Sequence, residues 1–250
     1  MNIAFIFFFS SRLLKSKYRN SFFGIFLTIL FPILASIFLS YIFSGIYKQD
    51  FDTFFLKISL GFIPWYFFTR TLIDISNSLN NNIYFIKKKI NNVYNISLSY
   101  LLSGIFDFLL NFSVLIMINI FFLDNVFYIN FFLFIFTSLL FFVFTYSLGL
   151  VFSFFCAMYK DFINLVVFFM QILFFLSPII YEIKNIFLNL QIFIKLNPLT
   201  TYIEMYRACF NLSENFYFSD YLLIAIITLI IMSISLSLFK VIKKRIIFYL

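Results

Sequence analysis

Histidine is absent from the 250 residues, and cysteine occurs only at Cys156 and Cys209. Imidazole is the usual acid–base and metal-binding group near neutral pH, so its absence removes His-based catalysis. Two cysteines are too few for a Cys-rich zinc site or metal cluster. Glycine is scarce, with five residues, and none opens a loop ending in Gly-Lys-Ser/Thr, which excludes a Walker-type ATP cradle on this chain. There is no Ser/His/Asp constellation and no cluster of acids at metal-ligand spacing. Charge is thin as well: 11% of residues are Asp, Glu, Lys or Arg, against roughly a quarter in a soluble domain. No catalytic, cofactor-binding or metal residue is expected, and the chain does not read as an enzyme.

What fills the chain instead is apolar. Hydrophobic residues make up 64% and phenylalanine alone contributes 45 side chains, more than one soluble core could bury beneath so little polar surface. A membrane-spanning helix needs about 20 mostly apolar residues. Six stretches qualify, at about 23–44, 56–79, 98–121, 131–156, 162–181 and 220–240. The first three contain Pro32, Pro64 and Gly104, which spans tolerate when neighbouring helices cover the freed backbone.

The connecting segments sort by charge. On one side lie Arg12, Lys15, Lys17 and Arg19, then Lys87, Lys88 and Lys89, then Lys160, and finally Lys240, Lys243, Lys244 and Arg245. Most of the acids fall on the other side. The positive-inside rule then puts both termini in the cytoplasm. The net charge of +8 sits in short runs beside apolar spans, so it reads as topology and not as a nucleic-acid groove. Cys156 and Cys209 fall on opposite sides of the membrane, and no disulfide is expected. The N-terminus reads apolar first and basic second, the reverse of a secretory signal. Residues 2–20 suit a helix in the inner interface, and 80–97 form the longest inner loop. No internal repeat is evident, and residues 1–250 read as a single membrane domain.

Residues 174–207, "FFLSPIIYEIKNIFLNLQIFIKLNPLTTYIEMYR", interrupt the apolar pattern. The fifth span should end near Ser177-Pro178, because a residue before proline is pushed out of helical geometry. Asn197-Pro198 breaks the next short apolar run. A second short helix should follow, with Thr200 or Thr201 capping its start and Glu204 and Arg207 three apart on one face. The reading is a re-entrant excursion over 183–212, weighed against an amphipathic loop on the surface.

Inside the spans, Arg70 and Asp74 sit at i,i+4 and can pair, and Asp107 lies in the third span. Intramembrane charges mark a polar path or a structural pair. Arg12, Lys15, Lys17 and Arg19 can bind an anionic headgroup, or serve topology alone. Tyr18, Tyr41, Tyr47, Trp65, Tyr66, Tyr181, Tyr202 and Tyr206 read as an interfacial aromatic belt or as a sugar-stacking path.

Several short motifs occur in one order. "LLKSKYRNSFFGIFLTILFPIL" places Tyr18, Arg19, Ser21, Gly24 and Pro32. "GFIPWYFF" places Gly61, Trp65, Phe67 and Phe68. "NNIYFIKKK", "YKDF" (Tyr159 to Phe162), "SPIIY" and "LNPLTTYIEMYR" follow. Together they resemble the membrane subunits of type-2 ATP-binding-cassette exporters, especially the O-antigen, capsular polysaccharide and teichoic acid export permeases. The chain departs from that pattern twice. No proline follows the basic run in "KKKINNVYN", and Glu182 stands where many members have a proline.

The resemblance implies an all-α integral membrane protein with six transmembrane helices, an N-terminal interface helix, and two short re-entrant helices between the fifth and sixth spans. It implies a homodimer in the bacterial inner membrane, paired with two copies of a separate ATPase that carries the ATP-Mg. The substrate would be an undecaprenyl-linked polysaccharide. It further implies substrate entry beside Arg12, Lys15, Lys17, Tyr18 and Arg19. The ATPase coupling helix would involve Asn82, Phe85, Ile86, Lys87, Lys88, Lys89 and Tyr94. An outer gate would be shaped by Ser177, Pro178, Tyr181, Asn197, Pro198, Glu204 and Arg207. A same-fold exporter of a small lipid or drug is the alternative, with an ATP-independent carrier behind it.

Overall fold

The computed structural model describes residues 3–19, 24–87, 93–123, 128–183, 186–213 and 218–242. Lys88 and Lys89 of the expected coupling helix lie outside these, as do Ser21, Lys184, Lys243, Lys244 and Arg245. The described residues form helices and connecting segments, with no strand among them. In order the helices are α1 (Ile3–Tyr18), α2 (Gly24–Tyr47), α3 (Phe51–Ser76), α4 (Ser78–Asn81), α5 (Ile83–Lys87) and α6 (Val93–Phe121). After these come α7 (Phe131–Met158), α8 (Phe162–Phe175), α9 (Leu188–Leu196), α10 (Pro198–Cys209) and α11 (Phe218–Ile242).

Among the described residues four helices, α2, α6, α7 and α11, are long and apolar enough to cross a membrane. The 26-residue α3 is as long as these but carries Asp52, Lys57, Arg70 and Asp74, and it is wrapped by protein: α2, α6, α7, α8 and α10 pack around it. Its charges therefore meet protein groups instead of hydrocarbon. Two close crossings fix this hub. A Cβ on Gly104 of α6 would stand 2.2 Å from Thr71 Oγ1, and one on Gly149 of α7 would stand 2.7 Å from Ile75 Cγ2. Only a hydrogen at these positions lets the backbones approach so closely, the device that drives helix association where lipid is as apolar as the side chains.

The helix ends shift from the sequence expectation for local reasons. α3 starts at Phe51, before the apolar run at 56, because a turn after Asp50 already satisfies Phe54 N–H through Asp50 O at 3.1 Å. α6 begins at Val93, where "VYNISLSY" is polar but packs on α1. α8 stops at Phe175, two residues before Ser177, and its 14 residues reach about 21 Å.

The core is aromatic. Phe67, Phe68, Phe108, Phe112, Phe141 and Phe144 pack with Tyr202 and Tyr206 of α10. Those two tyrosines are wholly buried, which corrects their reading as belt or stacking residues. Their hydroxyls are satisfied inside: Tyr202 OH pairs with Thr228 Oγ1 at 2.9 Å, and Tyr206 OH donates to Ser138 Oγ at 3.3 Å. Buried serines and threonines return their hydroxyl hydrogens to carbonyls one turn back, as Ser36, Ser76 and Thr145 do, so the apolar interior holds few orphaned donors.

Candidate functional site

Polar side chains concentrate in three places, and each is positioned by a break or a small residue in an otherwise apolar run. The first is the end of the molecule where α9 and α10 lie. Asn197 caps α10: its Oδ1 accepts from Leu199 N–H at 3.0 Å, and Pro198 takes the first helical position. The expected cap at Thr200 or Thr201 is thereby corrected. Proline has no N–H to satisfy at that position, and the Asn side chain reaches the next donor. Thr200 instead donates to Ile194 O at 2.6 Å, locking α9 onto α10.

The same Asn197 donates through Nδ2 to Ser177 Oγ at 3.1 Å, joining the break after α8 to the break before α10. Pro178 is buried beside it, and Tyr181 OH donates to Phe175 O at 2.8 Å. Arg207, 6% exposed, completes the junction. Its Nε donates to Lys57 O at 3.2 Å, its Nη2 to Ile179 O at 3.1 Å, and its Nη1 to Glu204 Oε1 at 2.8 Å. Glu204 also accepts from Ser213 Oγ at 3.1 Å. One guanidinium thus ties α3, the segment after α8, and α10. Around it Lys57 Nζ and Gln49 Nε2 both donate to Glu182 Oε1 at 3.1 Å. Gln49, Lys57 and Ser213 were not picked out from sequence. Lys57 was legible only as a charge near a span end, with no signal for its partner.

The second place is the α4–α5 end. Asn82 is buried and donates to Ser78 O at 2.8 Å and Tyr100 OH at 3.0 Å. Ile86 sits in a cluster with Phe9, Leu79, Val93, Ile96, Phe154 and Ala157, and the Phe85 ring meets Phe9 edge-on at 5.9 Å. Tyr94 offers its carbonyl to Tyr146 OH at 3.3 Å. Lys87 is exposed, and so is Tyr84, at 61%. Of the seven residues expected here, the described apolar ones therefore hold α5 in place, and Lys87 with Tyr84 faces outward.

The third place unites two groups that sequence reading kept apart. α1 runs along α6, from Ser99, whose Oγ donates to Ile6 O at 3.2 Å, up to Asp107. There Lys17 Nζ binds Asp107 Oδ2 and Tyr18 OH donates to Asp107 Oδ1. Burial first, and then the Asp107 carboxylate, push the Tyr18 phenol well above its ordinary pKa, so it is a neutral donor at physiological pH. Arg12, Lys15 and Arg19 are exposed. The five expected entry residues thus divide into three outward and two inward.

Arg70 does not pair with Asp74. It turns back one helical turn, and its Nη1 donates to Tyr66 OH at 2.5 Å, with the guanidinium 5.7 Å from the Tyr66 ring centroid. The ring face and the phenol together hold the cation more closely than a carboxylate on the next turn. A tight crevice of about 10 Å³, room for about one water, lies between α1, α3 and α6, lined by Lys17, Tyr66, Arg70, Asp74, Asp107 and Asn111 among others.

Nothing in these three places joins a nucleophile to a base. They are junctions between helices, one at each end of the bundle and one within it. Residues 5–211 match the protein-family model described as ABC-2 type transporter. A search of curated proteins finds no match to the chain.

Proposed function

The chain belongs to the ABC-2 type transporter family, and from that premise we propose that it exports lipid-linked polysaccharide. Family membership makes it a multi-pass membrane protein, the membrane subunit of an ATP-binding-cassette exporter, and implies an ATPase partner. The finer reading is a homodimer with two ATPase subunits in the inner membrane, both termini cytoplasmic. α3 and α8 would bring the four long apolar helices to six spans, with α9 and α10 re-entering from the outer face. The partner would hydrolyse ATP-Mg, and the exposed side of α5, with Lys87 and the adjoining Lys88 and Lys89, would receive its push. The substrate would be an undecaprenyl-linked glycan such as O-antigen or capsule.

One observation carries this reading. "SPIIY" and "LNPLTTYIEMYR", which bear the resemblance to polysaccharide permeases, bond to each other: Asn197 to Ser177, and Arg207 to Ile179 O. Two short helices broken by Ser177-Pro178 and Asn197-Pro198 and clasped back onto α3 have the build of a closure over a path. Irregular backbone survives at membrane depth only against protein or a water-filled cavity.

The test is deletion of the gene, with surface polysaccharide and intracellular lipid-linked polysaccharide followed by blot. Loss outside with accumulation inside is the expected result. A normal surface with no accumulation would move the substrate to a small lipid or drug.

A further inference from the structure

We propose that the crevice between α1, α3 and α6 is a binding site for one ordered water, held by Asn111, Arg70 and Asp74, and that this water bridges α3 to α6. The site does not depend on which substrate the exporter carries.

Asn111 points to it first. The residue is 2% exposed, and its Nδ2 donates to Asp107 O, one turn back, at 2.8 Å. That bond fixes which way the amide faces, since a carbonyl has no hydrogen to give to Oδ1. Oδ1 is then a buried acceptor that meets no donor among the described residues, and Asn111 lines the crevice. An acceptor left this way in an apolar bundle is costly.

Asp74 is the second pointer. It lines the same crevice, yet the two cations beside it are directed elsewhere. Arg70, one turn before it, donates to Tyr66, and Lys17 pairs with Asp107. Among the described residues Asp74 makes no direct hydrogen bond or ion pair, which an intramembrane carboxylate rarely does without. Arg70 meanwhile uses one of its five N–H donors, Nη1 to Tyr66. Asn111 and Asp74 each need a donor, and Arg70 has donors to spare.

Size and charge select the occupant. The crevice has a volume of about 10 Å³, enough for one water and far too small for a headgroup or a sugar. A water there gives one hydrogen to Asn111 Oδ1 and the other to the Asp74 carboxylate, and accepts from the Arg70 guanidinium. About three hydrogen bonds is what a buried water usually makes. A sodium ion fits less well, because Lys17 and Arg70 already balance Asp74 and Asp107 in the same lining. Gly104 and Thr71, whose close approach joins α6 to α3, border the crevice as well. The crossing of these two helices thus has a polar, water-bridged joint beside a dry steric one.

The experiment is X-ray radiolytic labelling of the full chain with its partner ATPase in nanodiscs, read by mass spectrometry. Radicals made from a bound water oxidise side chains that bulk solvent does not reach. Phe67 and Phe108 line the crevice and are 4% and 1% exposed. Phe55 and Phe154 are as deeply buried, at 1% and 2%, and lie away from it. Oxidation should run severalfold faster at Phe67 and Phe108 than at Phe55 and Phe154, and equal rates would overturn the proposal.

Asn111→Leu removes the acceptor at nearly constant volume and should bring Phe108 down to the rate of Phe55. Where that variant does not co-purify with the ATPase, Asp74→Leu carries the same comparison. Unchanged labelling in the variant that is recovered would overturn the assignment of the water to these side chains. Replacing sodium by choline at equal ionic strength should leave both the labelling and the unfolding midpoint unchanged. A midpoint that rises with sodium would make the occupant an ion and overturn the proposal.

Discussion

Arg207 and Lys17 are each a cation drawn into an apolar bundle, yet they are held by different kinds of acceptor. Two of the three groups around Arg207 are main-chain carbonyls, of Lys57 and Ile179. Those carbonyls belong to a helix and to the turn after a helix, so they cannot leave without unfolding. Lys17 is held by one side-chain carboxylate, which a neighbouring tyrosine shares and near which a second cation, Arg70, lines the same crevice. A planar fork with fixed donors suits the first case and a flexible ammonium the second. The contrast separates a joint fixed by main-chain carbonyls from one that rests on a single side chain, the Lys17 side chain keeping 21% of its surface open.

The contrast breaks first at Arg207. Arg207→Ala empties a nearly buried site, leaves Glu204 with Ser213 alone and takes the side-chain donor from two carbonyls, and should destabilise the protein by about 3 kcal/mol. For a chain of this size that lowers Tm by on the order of 10 °C, readable by thermal unfolding in detergent. Arg207→Lys should recover little of this, since an ammonium cannot span Lys57 O, Ile179 O and Glu204 together. A full recovery by lysine would mean that charge alone matters there and would erase the distinction drawn above.

Lys17 and Asp107 should behave as a removable pair. Lys17→Ala leaves Asp107 half-compensated and should cost about 2 kcal/mol. Lys17→Leu with Asp107→Leu removes both charges and should regain most of that stability, because a buried pair replaced by apolar side chains is often neutral. A double-mutant cycle on unfolding midpoints gives the coupling directly. Additive losses would show that the two side chains do not hold each other.

Much of the architecture was legible because lipid imposes simple length and polarity rules. The helices α2, α6, α7 and α11 follow from apolar runs of about 20 residues, and the breaks at Ser177-Pro178 and Asn197-Pro198 follow from the restriction proline places on the residue before it. The partners were not legible. Nothing at Asp107 says that its counter-ion is Lys17, 90 residues earlier, instead of Arg70 on α3, which packs against α6. That choice depends on how α1 climbs α6 from Ser99 upward. Tyr202 and Tyr206 misled for a related reason: a tyrosine near a break looks interfacial until Thr228 and Ser138, on other helices, supply partners for its hydroxyl. Tertiary hydrogen bonds decided these sites, and they leave no periodic trace in the chain.

The tight crossings at α3 allow a steric test on the same footing. Gly104→Val would drive a branched side chain into Thr71, whose hydroxyl lies 2.2 Å from the added Cβ, and overpacking of this kind costs about 1–3 kcal/mol. It also pries α6 from α3 beside Arg70 and Asp107, so an effect here should lower the coupling energy in the Lys17–Asp107 cycle and leave Arg207→Ala unchanged. Equal effects on both would tie the two junctions into one rigid unit.

The smallest effect is expected at the Lys57–Glu182 pair, which lies next to Arg207 and yet differs from it in the way that matters. Both side chains keep about a fifth to a quarter of their surface open, at 27% and 20%, and the carboxylate oxygen is shared with Gln49. Glu182→Gln keeps the Gln49 contact region and removes one partly screened charge interaction, worth about 0.5 kcal/mol. Thermal unfolding at low and high salt should show a small loss that shrinks as salt rises. Since Arg207 uses the Lys57 carbonyl and not its ammonium, Glu182→Gln and Arg207→Ala should add. A large loss at Glu182, or strong non-additivity with Arg207, would mean that this junction is a single ionic network and that its inner joint is not independent of its rim.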